Sequence, residues 1–392
     1  MKKNKLAYLW CSNYLFQFFF CFGIFMPFYQ LWLTNQGISS KHIGIILAAG
    51  LVSRCLASLF FGSLIKHEKQ YQPALRALGA FGLLTSIIMS FYAADFILIL
   101  VVTCLFNIAI APVFGLSDAI ITTLDKRKVL TYGSARMWGS IGFVAATITG
   151  GYIFETWSAS ALPLMLIIIC SFLFMSALFS CPQLQTKNKH ENNSLSILPK
   201  SEKLYSSTVI LLLITVILLQ SSHAFFYGFA SVYWQEIGLS KSVIGYLWGV
   251  SMSSEILVFF LAKKIFSDVS HVKLLQFASL CVIVRWAALA VLQDPFLIAT
   301  AQLLHGGTFA LTQVALIKGI QMYVQDSKIA KFQGVYQGYY TAMIAIFTYL
   351  CGLFYDKFKA DLFLYMSAIG IVSLLLSVGL NIKFLKHKQV AY

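Results

Sequence analysis

Apolar runs long enough to cross a bilayer follow one another along this chain, separated by short polar segments. They read as twelve spans, over residues 7–33, 42–65, 74–93, 95–122, 133–154, 160–180, 207–234, 242–262, 272–291, 295–322, 333–353 and 362–384. A hydrocarbon core about 30 Å thick takes about 20 helical residues. In lipid every backbone N–H and C=O must find an internal partner, so such runs fold as helices. Composition agrees, with 59% hydrophobic residues, 11% charged residues and a mean hydropathy of +0.79. Soluble domains carry about 25% charged residues. The expected fold class is an all-α membrane protein with twelve transmembrane helices. Several runs exceed the minimum, which implies tilt or helix ends standing in water. The opening Met1-Lys2-Lys3-Asn4-Lys5 has the charge of a signal peptide. The apolar run behind it is too long, and no small-residue cleavage site closes it, so it reads as the first span.

A net charge of +15 might point to a polyanionic partner, but its distribution argues for topology instead. Lys and Arg crowd the N-terminal tail, every second connecting segment and the C-terminal tail. The alternate segments carry only Lys41, Lys241, Lys357 and Lys359. This asymmetry is the positive-inside pattern, and it predicts cytoplasmic N- and C-termini and no nucleic-acid partner. The eight cysteines are scattered and include no Cys-x-x-Cys pair. They read as small apolar residues of the spans, with no disulfide, metal or cofactor expected.

The longest polar stretch, 182–206, reads as a cytoplasmic linker between an N-terminal six-helix bundle (1–181) and a C-terminal one (207–392). The halves repeat each other. Gly37-Ile-Ser-Ser-Lys-His-Ile-Gly44 parallels Gly238-Leu-Ser-Lys-Ser-Val-Ile-Gly245, at an offset of 201 residues. The same offset pairs Gly133 with Gly334, Gly151 with Gly352, and Arg54 with Glu255. The last pair are repeat-equivalent positions of opposite charge, which a pseudo-symmetric bundle would turn toward a central cavity.

Arg54, Asp118, Arg136, Glu255 and Arg285, with His223 and His305, lie inside the apolar runs. A charge at mid-bilayer costs roughly 2.5–3.5 kcal/mol or more, and such residues mark pathways or paired sites. The three arginines against two acids leave one net positive charge, which a bound carboxylate would relieve. Each residue also has a structural alternative. Arg136 with Asp118 is either a substrate-binding pair or a fixed ion pair, and Glu255 is either a proton carrier or a salt-bridge partner. His223 and His305 are either functional or hydrogen-bonding core residues, and Phe143 either lines a site or packs. Lys318 is expected to snorkel to the interface. Asn13, Gln17 and Asn107 are inter-helix hydrogen-bond candidates.

Tyr132-Gly-Ser-Ala-Arg-Met-Trp-Gly-Ser140, preceded by Asp118, resembles the lactose permease group of the major facilitator superfamily. So do Ser251-Met-Ser-Ser-Glu255, Arg285 and His305. A closer resemblance, to the 3-phenylpropionate permease subfamily of enteric bacteria, runs through almost the whole chain. It rests on Gly23-Ile-Phe-Met-Pro-Phe28, Ala49-Gly-Leu-Val-Ser-Arg54, Ser222-His-Ala-Phe-Phe-Tyr-Gly-Phe229, Ile244-Gly-Tyr-Leu-Trp248 and Leu304-His-Gly-Gly-Thr-Phe309.

The resemblance implies a monomeric secondary transporter of the bacterial inner membrane, built as two pseudo-symmetric six-helix bundles. It would import a small organic acid, with 3-phenylpropionate the candidate, by proton symport and alternating access. Arg136, Asp118, Phe143, Arg54 and His223 would bind substrate, and Glu255, Arg285 and His305 would couple protons. One departure matters: the sugar permeases carry a coupling carboxylate three residues after the histidine, where this chain has Thr308. The alternatives are an oligosaccharide or nucleoside symporter and a membrane sensor without turnover. An enzyme is not expected, since the chain carries no nucleotide-binding glycine loop and no glycine-flanked nucleophile.

Overall fold

The computed structural model describes residues 2–65, 67–91, 95–182, 184, 206–324 and 329–390. Most of the expected linker 182–206 lies outside them. The first half of the chain supplies α1 (Lys2–Asn35), α2 (Ser40–Leu64), α3 (Tyr71–Phe91), α4 (Phe96–Lys126), α5 (Tyr132–Trp157) and α6 (Leu162–Leu178). The second supplies α7 (Ser207–Ser221), α8 (Ala224–Glu236), α9 (Lys241–Ile265), α10 (His271–Val291), α11 (Pro295–Gln302), α12 (Leu311–Tyr323), α13 (Ile329–Phe358) and α14 (Leu362–Val390).

Among the described residues, eleven stretches are long and apolar enough to cross a membrane. The last, Phe332–Ile382, has 51 residues. At 1.5 Å per residue it would be about 76 Å of helix, more than two hydrocarbon thicknesses. It contains α13 and α14, joined by the turn Lys359–Asp361, which brings the crossings to the expected twelve. The expected seventh and tenth spans are not continuous helices. The seventh breaks between α7 and α8 at Ser222–His223, and the tenth is α11, a π-helical turn Gly306–Ala310 and α12.

Helix ends are tied off by side chains where the chain turns. Asp95 accepts from the Leu98 N–H at 2.8 Å, and Asp294 from the N–H groups of Phe296 and Leu297 at 3.0 Å. Ser206 and Ser270 cap α7 and α10 in the same way. Each satisfies donors that a helix start leaves without an intrahelical acceptor. Inside the spans, the hydroxyls of Thr85, Ser86, Ser117 and Thr215 donate to carbonyls one turn back. In a water-free layer that local bond removes the cost of a bare hydroxyl.

The octapeptide repeat holds at the level of the backbone. Gly37 has φ +77° and Gly238 φ +92°. After each, an N–H returns to the carbonyl five residues earlier: Ile38 to Leu33 at 3.1 Å and Leu239 to Trp234 at 2.9 Å. Both glycines therefore end a helix in the left-handed conformation that only glycine adopts at no steric cost. The serine that follows each turn accepts the first backbone bond of the next helix, Ile43 to Ser39 and Ile244 to Ser240.

The chain forms two compact units, one of Met1–His190 with Gly228–Gly249, the other of Glu191–Tyr227 with Val250–Tyr392. In the first, α1 packs on α5 and α6, α2 on α4, and α3 on α4 and α6. Small residues permit the close α1–α5 approach: a Cβ at Gly23 would meet the Phe143 carbonyl oxygen at 2.8 Å, and one at Gly142 would overlap that of Phe16. Without a hydrophobic drive between helices in lipid, such backbone proximity is a main source of packing energy. Residues 228–249 join this unit through α5. A Cβ at Gly151 would meet the Lys241 carbonyl at 2.6 Å, and Glu155 Oε2 accepts from the Lys241 N–H at 2.6 Å. In the second unit α10 packs on α14 and α12, and α7 on α12, α13 and α14.

Replacing Gly238 by valine is expected to lower stability by about 1–2 kcal/mol, the cost of a side chain in the left-handed region. Gly115→Ala, inside α4 with open space around it, should raise stability by up to about 1 kcal/mol, the helix-propensity difference. Thermal unfolding of the purified protein in detergent measures both.

Candidate functional site

The second unit buries a polar cluster where its two interrupted spans meet. Arg285, on α10, is fully buried. Its Nε and Nη2 donate to Gln302 Oε1 at 3.2 and 2.6 Å. Its Nη1 donates to His305 Nδ1 at 2.9 Å and to Thr308 Oγ1 at 3.1 Å. The guanidinium also lies over the rings of Trp286, at 4.2 Å, and Phe226, at 4.8 Å. Aromatic faces attract a cation, so the groups around this one answer its charge from both its edge and its face.

The histidine tautomers follow from these partners, because a guanidinium only donates. His305 Nδ1 must accept from Arg285, so its proton sits on Nε2, which points at Glu255 Oε2, 3.4 Å away. His223 Nδ1 donates to the Gln220 carbonyl at 3.1 Å, so its Nε2 accepts from the Thr308 hydroxyl at 3.0 Å. One chain of bonds leaves Arg285 through Thr308 to His223; on the other side Arg285 bonds His305, whose Nε2 lies 3.4 Å from Glu255 on α9 without a hydrogen bond between them.

The breaks in the helices make this possible. In the π-helical turn the Gly306 N–H donates to Ser254 Oγ at 3.0 Å, one residue from Glu255. A Cβ at Gly306 would meet the Ser254 carbonyl at 2.6 Å, so only glycine lets α9 come so near. Gln220, at the end of α7, donates to the Phe309 carbonyl at 3.2 Å. The Ser222 hydroxyl, in the break, accepts from Trp286 Nε1 at 3.1 Å. Irregular backbone deep in a membrane is tolerated where protein groups re-satisfy it, and π-turns recur at functional sites.

The first unit holds the other expected residues on aromatic rings of α1. Arg54 donates to Asn107 Oδ1 from Nε at 3.2 Å and from Nη2 at 2.8 Å, and lies 4.9 Å from the Phe22 ring centre. Arg136 lies over Phe19 at 4.3 Å and Phe114 at 5.5 Å. Asp118 accepts from the Tyr132 hydroxyl at 2.6 Å. Tyr132 is one turn before Arg136 and touches it as well, so it links the acid and the arginine. Phe143 is buried with its ring edge-on to Phe22 at 6.0 Å. Arg54 and Phe143 therefore share Phe22 as a neighbour.

Lys318 reaches the turn after α9. Its Nζ donates to the carbonyls of Phe266, Ser267 and Val269 at 2.5, 2.8 and 2.7 Å. A cation suits a helix C-terminus, where the last carbonyls point outward, and here it ties α12 to the turn after α9. Asn13 bonds Ser176 of α6 at 3.4 Å and accepts from Gln17 at 3.2 Å. Sequence reasoning missed Gln302 and Tyr132. The available signal was spacing, since Gln302 precedes His305 by three residues and Tyr132 precedes Arg136 by four, which sets each pair on one helical face.

Residues 8–373 match the MFS_1 like family. The chain is 31% identical to the "Probable 3-phenylpropionic acid transporter" of Escherichia coli (strain K12) over 378 residues, 94% of this chain and 96% of that protein. It is 22% identical to the maltose permease of Geobacillus stearothermophilus over 71% of this chain and 69% of that one. Among solved structures, the nucleoside transporter NupG superposes with a TM-score of 0.77 over 96% of this chain and 99% of its own, at 14% identity. A bacterial homologue of the human lysosomal transporter Spinster gives a TM-score of 0.73 at 12% identity, covering 98% of each chain. At that identity the two structures speak for the fold alone. The chain belongs to the MFS_1 like family of the major facilitator superfamily: it is a multi-pass membrane protein and a secondary transporter, not an enzyme.

Thr308→Val removes the hydroxyl that accepts from Arg285 and donates to His223, both buried. The expected loss is about 1–3 kcal/mol, the cost of leaving such a group unsatisfied. Thermal unfolding beside the wild type checks it.

Proposed function

We propose that the protein imports a small organic acid across the bacterial inner membrane, with 3-phenylpropionate the leading candidate, by proton symport and alternating access. The observation that carries this reading is the environment of Arg285. A fully buried guanidinium, whose hydrogen-bond acceptors among the described residues are Gln302, His305 Nδ1 and Thr308, none of them an anion, creates a standing demand for negative charge. Glu255 meets it through the His305 ring. When Glu255 takes up a proton, the positive charge of Arg285 loses its counter-charge, and a substrate carboxylate becomes the favoured replacement. Release of the proton reverses the preference.

In the first unit, Arg54 and Arg136 add cations that would draw an anion toward the protein, with Asp118 and Tyr132 orienting Arg136. Phe19, Phe22, Phe114 and Phe143 offer aromatic faces and edges to a phenyl ring. His223 would act by holding Thr308 rather than by touching substrate. The acid at the position of Thr308 in sugar permeases is absent, which leaves Glu255 as the acid next to His305. The remaining elements of the reading are cytoplasmic termini, supported by the distribution of Lys and Arg, two six-helix halves, supported by the repeat, and a monomeric chain, which the resemblance implies.

Proteoliposomes with an inward proton gradient are expected to accumulate labelled 3-phenylpropionate. Glu255→Gln should abolish gradient-driven accumulation while substrate exchange without a gradient continues. Accumulation that survives in the variant would move the proton away from Glu255. A folded protein with no uptake would sink the ligand and turn attention to sugars and nucleosides.

A further inference from the structure

We infer that the side-chain amide of Gln302 is a ligand contact, the donor that receives an oxygen of a bound carboxylate. The inference rests on the organic-acid reading above and adds a residue to it.

Gln302 ends α11 and is fully buried. Its Oε1 accepts from both Nε and Nη2 of Arg285, at 3.2 and 2.6 Å. A guanidinium has no acceptor to offer, so the amide cannot be turned over: oxygen faces Arg285, and nitrogen faces away. That nitrogen carries two N–H donors, and it has no hydrogen-bond partner among the described residues. A buried donor left unmade is costly, and natural cores seldom keep one without a purpose.

The field around Gln302 selects the kind of acceptor. Arg285 holds a permanent positive charge 2.6 Å from the amide oxygen, and Glu255 reaches it only across the His305 ring. An anionic oxygen is therefore favoured over a carbonyl or hydroxyl. The guanidinium supplies the attraction and the amide supplies the direction. The end of α11 and the π-helical turn set this donor at a discontinuity of the span, where membrane transporters commonly place ligand groups.

The test uses two variants and three carboxylates: benzoate, phenylacetate and 3-phenylpropionate. Gln302→Glu keeps an acceptor for Arg285, loses the donors and adds a negative charge beside the guanidinium. Gln302→Met loses both. Ligand binding is read as thermal stabilisation of the purified protein, and transport as KM and kcat of proteoliposome uptake. Both variants are expected to weaken binding and raise KM about ten- to a hundredfold, the worth of one hydrogen bond to a charged group.

A glutamate variant that binds like wild type, beside a methionine variant that fails, overturns the inference and reduces Gln302 to positioning Arg285. Stabilisation of the wild type by none of the three carboxylates also overturns it. Binding that both variants lose, in a protein that shows no uptake, supports the contact and sinks the transport reading. Should the glutamate variant not fold, isotope-labelled glutamine side chains in the wild type decide. The Gln302 amide resonance, assigned by its loss in the methionine variant, must shift on adding carboxylate, and an unmoved resonance overturns the proposal.

Discussion

A guanidinium cannot shed its proton inside a bilayer, so Arg285 obliges its surroundings to supply acceptors, and the second unit is organised around that demand. The span holding α11 and α12 and the span holding α7 and α8 are both interrupted at this depth. The interruptions bring Gln302, His305 and Thr308 to one side of Arg285 and His223 beside Thr308. Ser254 and Gln220 then repair the backbone that the breaks expose. An ordinary helical ladder was given up so that one buried cation could be solvated by protein.

The first unit treats its cations differently. Arg54 and Arg136 rest on phenylalanines of α1, with an amide and a tyrosine–carboxylate pair nearby. Cation–π contact gives direction and modest energy while leaving much of the guanidinium edge to other acceptors. Arg54 and Arg136 lie against rings, and Arg285 is held at Nε and at both terminal nitrogens.

Much of this was legible in the residues. The spans follow from apolar length, and the backbone equivalence of Gly37 and Gly238 follows from a repeated octapeptide. The grouping of Glu255, Arg285 and His305 was expected from resemblance, and the structure sets them in one chain of contacts. What could not be read was the role of neutral polar residues. Gln302 and Tyr132 look like any amide or phenol in a span until their partners are known. The three carbonyls after α9 that hold Lys318 were likewise not legible.

By itself the sequence determined that the chain lives in lipid, that it is helical, that it repeats, and which few charges it keeps in the apolar layer. Those properties depend on transfer energies and on periodicity, which are local and additive enough to be summed along a chain. Only the tertiary structure decided where the helices break, which nitrogen of each histidine carries its proton, and which way the Gln302 amide points. Those depend on hydrogen bonds between residues that the sequence holds far apart, such as His223 with Thr308 and Gly306 with Ser254. A hydrogen bond is fixed by distance and angle at its two ends, so its partners exist only once the helices that carry them have been brought together.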